Sequence, residues 1–219
     1  FEHQNILNQT LTQQQLAKKL GLKLETVVTE LKTARKKLLE KRNKRIRPLL
    51  DDKVLTSWNG LMISAMAKTG RVLEDTNRII KAEKAMQFIL SNLKTSKGKL
   101  LRRFRDGESR YDGYLFDYSS IAVACLELYE ATYDVKHILE ARNLMKIVEE
   151  KFISEGAYHE TASDGENLIV RQISGYDGVE PSGNSNAALA FLKLGAYLGE
   201  TSLIKCAEKI FLVGRTGGK

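Results

Sequence analysis

Apolar residues recur at three- and four-residue spacing through most of this chain, which predicts helices. Between Leu11 and Leu39, Leu16, Leu20, Leu24, Val27, Val28, Leu31 and Leu38 keep that spacing. Thr12 is placed to cap a first helix, Gly21 breaks it, and a second helix begins near Leu24. A short helix, a glycine turn and a longer basic helix also describe a helix-turn-helix DNA reader. Here the first turn of the would-be recognition helix offers Leu24, Glu25, Thr26 and Val27. The bases come late, where they would meet phosphates rather than read a sequence.

Three helical hairpins follow and can be laid on one another. Their second helices contain IIKAEKAMQFI, ILEARNLMKIV and LIKCAEKIFL, which superpose Ala82, Ala141 and Cys206. Twenty-four residues before each stand Trp58, Asp117 and Ser182, every one at the start of a first helix. The unit therefore repeats every 59 to 65 residues, a period that marks a circular or solenoid array rather than a four-helix bundle. Within RPLLDDKVLTSWNGLMISAMA, Thr56 or Ser57 is the expected N-cap of the first inner helix. The inner helices are rich in alanine and glycine, which suits either close approach in an inner ring or simple helix propensity.

The linkers LLRRFRDGESRYDGYLF and GAYHETASDGENLIVRQ each place two short alternating runs around a glycine turn, the pattern of a β-hairpin. They are expected to carry Arg102, Arg103, Arg171 and Asp177 to the rim that holds Trp58 and Asp117. Pro48 and Pro181 both fall just ahead of an inner helix. The expected layout is one all-α domain over 1–219, an α/α toroid fragment with small β-hairpin insertions. It comprises a helix pair at 1–46, helical hairpins at 47–97, 117–152 and 181–212, and β-hairpin linkers at 98–116 and 156–173.

Charge changes the picture in one place. The chain carries a formal +8, and Lys32 to Arg47 holds nine basic residues against Glu40 alone, so that segment accounts for the whole net charge. A basic helix is either a solvated face or a docking strip for an acidic partner such as nucleic acid; the first reading is preferred and nucleic acid is not the expected partner. Cys125 and Cys206 sit in apolar helical patterns as free thiols, and the three histidines, His3, His137 and His159, form no cluster, so no metal is expected and no cofactor. No apolar run is long enough to cross a membrane. Phe1-Glu2-His3-Gln4 has no signal-peptide layout, which suggests a piece of a longer chain, with a cytoplasmic location as the working expectation.

RPLLDDKVLTSWNGLMISAMA, FDYSSIAVACLELYEAT and IVRQISGYDGVEPSGNSNAALAFLKL resemble three consecutive motifs of the thioredoxin-domain-containing family that includes the spermatogenesis-associated thioredoxin-like proteins. The resemblance implies a thioredoxin-like domain to the N-terminal side as a partner in the parent chain. It also implies a C-terminal (α/α)6 toroid similar to N-acylglucosamine 2-epimerase and the six-hairpin glycosidases, of which this chain would supply about three hairpins. The basic helix pair then belongs to the toroid, and the exposed flanks of an incomplete ring predict self-association.

In such a toroid the N-terminal ends of the inner helices form a funnel suited to hydroxyl-rich or anionic ligands. A carbohydrate ligand would need aromatic stacking, carboxylates for its hydroxyls and an acid/base pair. Asp52 and Asp117 are the acid/base candidates. Asp51, Trp58, Asn59, Tyr118, Arg171, Asp177, Glu180, Ser182 and Asn184 are the substrate-binding candidates. Each has a structural alternative. Asp117, Ser182 and Asn184 are N-cap types, Trp58 is a core anchor at a helix start, Asp51-Asp52-Lys53 is an ion-pair loop, and Arg102 and Arg171 tether the acids. An epimerase of the resembling class relies on histidines, yet His159 falls in an expected β-hairpin and His137 in a turn before an outer helix. The functional readings are therefore a sugar epimerase/isomerase or glycosidase-like domain, a non-catalytic ligand- or protein-binding scaffold, and, most weakly, nucleic-acid binding through 32–47.

Overall fold

The computed structural model describes residues 8–154 and 156–216, with side chains as far as Leu212; Phe1 and His3 lie outside the described residues. Two compact units appear, one ending at Asp51 and one beginning at Asp52.

The first unit is a helix pair, α1 (Gln13–Leu20) and α2 (Leu24–Asn43). Thr12 caps α1 in a reciprocal box. Its Oγ1 accepts the Gln15 amide at 3.2 Å while Gln15 Oε1 accepts the Thr12 amide at 2.9 Å. Gly21 ends the helix in the left-handed region, at φ +65°. Ala17 and Val27 are buried in this unit, and all nine bases between Lys32 and Arg47 are exposed.

The second unit begins with β1 (Val54–Leu55) and the hairpin of α3 (Thr56–Val72) and α4 (Thr76–Asn92). Then come strands β2 (Leu101–Arg105) and β3 (Glu108–Asp112), helices α5 (Leu115–Thr132) and α6 (Val135–Lys151), and helices α7 (Gly183–Leu198) and α8 (Thr201–Thr216). The three expected hairpins are all present. The strands form one antiparallel sheet in the order β1-β2-β3, and the β2–β3 turn is Asp106-Gly107, both at positive φ as a tight two-residue hairpin requires.

α3, α5 and α7 run side by side with their N-terminal ends together. A Cβ on Gly60 of α3 would stand 2.9 Å from the Ser120 carbonyl carbon of α5, and one on Gly183 would stand 3.0 Å from the Phe116 nitrogen. Asn186 of α7 donates to Ser120 Oγ at 3.1 Å. At the far ends, Glu130 of α5 accepts from Arg71 of α3 at 2.7 Å and from Lys193 of α7 at 2.6 Å. The small residues of the inner helices therefore serve close approach, not propensity alone. α5 is the middle stave, apolar nearly all round and buried along most of its length. Its Leu115, Tyr118, Ile121 and Leu128 join Met86, Ile89, Phe152 and Phe191 in one core.

Each outer helix folds back over its inner partner. A Cβ on Gly70 would meet Ile79 Cγ1 at 2.7 Å, and one on Gly195 would meet Ile204 Cγ1 at 2.6 Å. The same notch and knob, nine residues apart, thus recur in the first and third hairpins. Asp75 and Asp134 cap α4 and α6 through the amides of Arg78 and Lys136.

Two expectations need correction. Neither Thr56 nor Ser57 caps α3. Leu55 is the cap residue, Thr56 Oγ1 donates to the Leu101 carbonyl at 2.6 Å, and the Ser57 amide is taken by Asp117. With the cap supplied from α5, the Thr56 hydroxyl is free to fasten α3 to β2. The 156–173 linker is not a β-hairpin. Its arms share the Glu160 amide to Gln172 carbonyl bond, but Ile169 and Val170 face solvent and the Arg171 guanidinium, donating to the carbonyls of Thr161 and Lys151, closes the loop in place of a ladder.

Candidate functional site

The mouth where α3, α5 and α7 begin is organised by Asp117. Its Oδ2 accepts the Tyr114 amide of its own helix start at 2.8 Å, and its Oδ1 accepts the Ser57 amide of α3 at 3.0 Å. The carboxylate is fully buried, with Arg102 Nη1 3.7 Å away from Oδ2. Burial pushes its pKa up against the downward pull of the Tyr114 amide, Arg102 and Ser57. Asp117 therefore staples two helix N-termini and presents no oxygen to solvent.

Glu160 lies in the loop beside it, half-buried, with its carbonyl accepting the Leu115 amide at the α5 start. Burial raises the Glu160 pKa, Asp117 raises it further, and the Ser174 amide and Arg102 oppose the shift. Oε1 of Glu160 and Oγ1 of the next residue, Thr161, are buried without a hydrogen-bond partner among the described residues. The Arg102 guanidinium lies over the Tyr114 ring, 4.3 Å from its centroid, with Nη1 toward Asp117. Arg102, Tyr111, Tyr114 and Thr161 line a cavity of about 340 Å³ between the β2–β3 hairpin and the 156–173 loop. That volume is in the range of small-ligand pockets. A larger recess of about 630 Å³ lies on the other side of Ala162, but its Lys99 and Lys151 are ion-paired with Asp112 and Asp164.

The candidates from the sequence fall into three groups. Trp58, 58% exposed in the first turn of α3, is an open aromatic face at the mouth rather than a core anchor. Asp52 is exposed and paired with Arg105 at 2.8 Å beside β1. Asp51 closes the first unit and is exposed. The remaining residues are stitched into the scaffold. Tyr118 is 1% exposed, accepts the Leu100 amide and packs on Phe152, which leaves it no face for stacking. Asn59 donates to the Leu55 carbonyl, and Ser182 caps α7 through the Ser185 amide. Asp177 accepts the Ser182 amide and the Ser185 hydroxyl, which hold its carboxyl below the usual range. Asn184 clasps Tyr158 through both backbone groups and reaches the Ser174 carbonyl. Arg171 is the loop clasp described above, and Glu180 offers its carbonyl to the Gly178 amide.

Both described histidines are bonded within the scaffold. His137, on the outer helix α6, pairs with Glu83 at 2.5 Å, and the His159 ring nitrogen bonds the Arg171 carbonyl. Glu160 and Tyr114 were not among the sequence candidates. Glu160 stands two residues from each of the buried Tyr158 and Ala162, in a loop whose course no local sequence pattern marks.

No family model matches the chain. It is 31% identical over 211 residues to human spermatogenesis-associated protein 20, a match covering 91% of this chain but only 27% of that protein. Among solved structures, cellobiose 2-epimerase from Bacillus thermoamylovorans superposes with a TM-score of 0.60 at 17% identity, over 72% of this chain and 43% of that one. A family 105 glycoside hydrolase of C. acetobutylicum superposes with a TM-score of 0.59 at 16% identity, over 91% of this chain and 59% of that one. The chain is therefore similar to spermatogenesis-associated protein 20 over just over a quarter of that protein's length, and its helical hairpins have the fold of part of an (α/α)6 toroid.

Proposed function

We propose that the mouth formed by α3, α5 and α7 binds carbohydrate, and that Glu160 is its acid/base group. The observation carrying this reading is the buried, unpartnered Oε1 of Glu160, its carboxyl raised by burial, beside an Arg102-lined cavity in a toroid. A carboxyl whose proton is held more tightly by burial is the kind that serves as a general acid or base. Trp58 supplies the stacking face, while Asp117 acts as a positioning residue that fixes where α3 and α5 start. This reading uses the Glu160 carboxyl for proton transfer at a sugar, as in an epimerase or isomerase; hydrolysis would need a second carboxyl across the scissile bond. The cellobiose 2-epimerase and glycoside hydrolase neighbours support sugar chemistry as a class. In the parent chain a thioredoxin-like domain is the proposed companion.

The second reading is a non-catalytic binding or scaffold module. It is favoured by the two acids singled out from the sequence, since Asp117 is closed on two amides and Asp52 on Arg105. Calorimetry with a panel of mono- and disaccharides, joined to NMR detection of solvent-deuterium incorporation into the sugar, separates the two. Saturable binding that survives Glu160→Gln, with deuterium incorporation that does not, supports the enzyme. Absence of binding across the panel leaves the scaffold.

A further inference from the structure

The ladder between β2 and β3 pairs Leu101 with Asp112 and Arg103 with Arg110, and then continues in the same register to Arg105 and Glu108. The position it skips is the one where Arg102 would meet Tyr111. Tyr111 stands there at φ +63°, and it is the only non-glycine residue within a strand to do so among the described residues. A left-handed conformation is costly for an aromatic residue, and such strain gathers where a side chain must be aimed. The two residues released from the ladder both line the 340 Å³ cavity. Arg103 lies over the exposed Tyr111 ring, 5.2 Å from its centroid, as Arg102 lies over Tyr114. Stacking on a ring fixes the plane of a guanidinium; Arg102 turns Nη1 toward the Asp117 carboxylate, 3.7 Å away, which leaves its other N–H groups for a planar anion. Thr161 adds a buried hydroxyl without a partner among the described residues. Of the carboxylates lining the cavity, Asp112 is neutralised by Lys99, and Glu166 is exposed.

We propose that this cavity is a subsite for a carboxylated sugar, a uronic acid unit whose carboxylate is held by the Arg102 edge while a ring hydroxyl meets Thr161. The proposal rests on the reading of the mouth as a carbohydrate site and names its substrate class. The rings of Tyr111 and Tyr114, each with a guanidinium over one face, border the sugar.

The test is a paired titration of methyl β-D-glucuronide and methyl β-D-glucoside, by calorimetry at low salt, on the wild-type chain and on Arg102→Gln, Thr161→Val and Glu166→Gln. One charge-assisted contact predicts that the glucuronide binds about tenfold more tightly than the glucoside. Arg102→Gln is expected to abolish that preference and leave glucoside binding in place, while Glu166→Gln, which removes a repelling charge, tightens the glucuronide. Equal affinity for the two glycosides, or a preference that survives Arg102→Gln, overturns the subsite while the sugar site stands. If neither glycoside saturates, both readings fall.

Discussion

Asp117 on α5 and Ser57 on α3, sixty positions apart, are joined by a 3.0 Å hydrogen bond from the Ser57 amide to the Asp117 carboxylate. A neighbouring helix thus provides the cap that α3 lacks in its own sequence, while the other oxygen holds Tyr114. Asp117→Asn leaves one acceptor where two amides need one each, so it should cost about 2–3 kcal/mol, measured by urea unfolding. A catalytic acid in this position would instead leave stability nearly unchanged when made neutral.

Glu160 makes the opposite prediction. Its raised carboxyl means that the folded chain keeps a proton which the unfolded chain releases near the ordinary value of 4.5. Stability contributed by this group therefore falls as pH rises from there through the raised value. Glu160→Gln should gain on the wild type between pH 4 and pH 7 when midpoints are compared in parallel melts. A constant difference across that range would sink the claim that burial raises this group.

Gly60 admits no side chain where α3 crosses Ser120. Gly60→Ala should cost about 1–3 kcal/mol by forcing the helices apart. Gly175→Ala, with nothing within 4 Å and no positive φ, is the matched control and should shift the midpoint little.

Trp58 and Tyr118 were equal candidates for stacking, and their burial separates them. Trp58→Ala should change stability by no more than about 0.5 kcal/mol, as for an ordinary surface site, while weakening any sugar bound at the mouth. Tyr118→Ala removes a core ring and should cost about 3–5 kcal/mol. Chemical denaturation of both variants beside sugar titration is the check.

Leu189 and Leu192 on α7 and Phe211 and Leu212 on α8 are exposed. This apolar surface predicts association that grows with concentration and is reduced by Leu192→Lys. Light scattering over a hundredfold dilution reads it directly, and a monodisperse monomer at every concentration would count against it.

The repeat was legible because Trp58, Asp117 and Ser182 keep a constant offset to the outer helices, and the first linker because Asp106-Gly107 is a local turn signal. What stayed hidden depends on distances between parts of the chain. Thr56 and Ser57 read as caps on local grounds, but the cap comes from a carboxylate sixty residues away. The second linker has the residues of a hairpin, yet Arg171 and Asn184 bond its backbone before strands can pair. Tyr118 sits one position from the Asp117 staple, and only the direction of its side chain assigns it to the core.

Gly70 with Ile79 and Gly195 with Ile204 fit within single hairpins, so the crossing of inner on outer helix is set by residues only nine positions apart. Contacts so local form early, before distant segments have met. The first and third hairpins should therefore be able to take their shape alone and dock as finished staves, so that the ring grows by accretion in chain order. The long-range bond from Asp117 to Ser57 would then act as the latch closed when the second stave arrives.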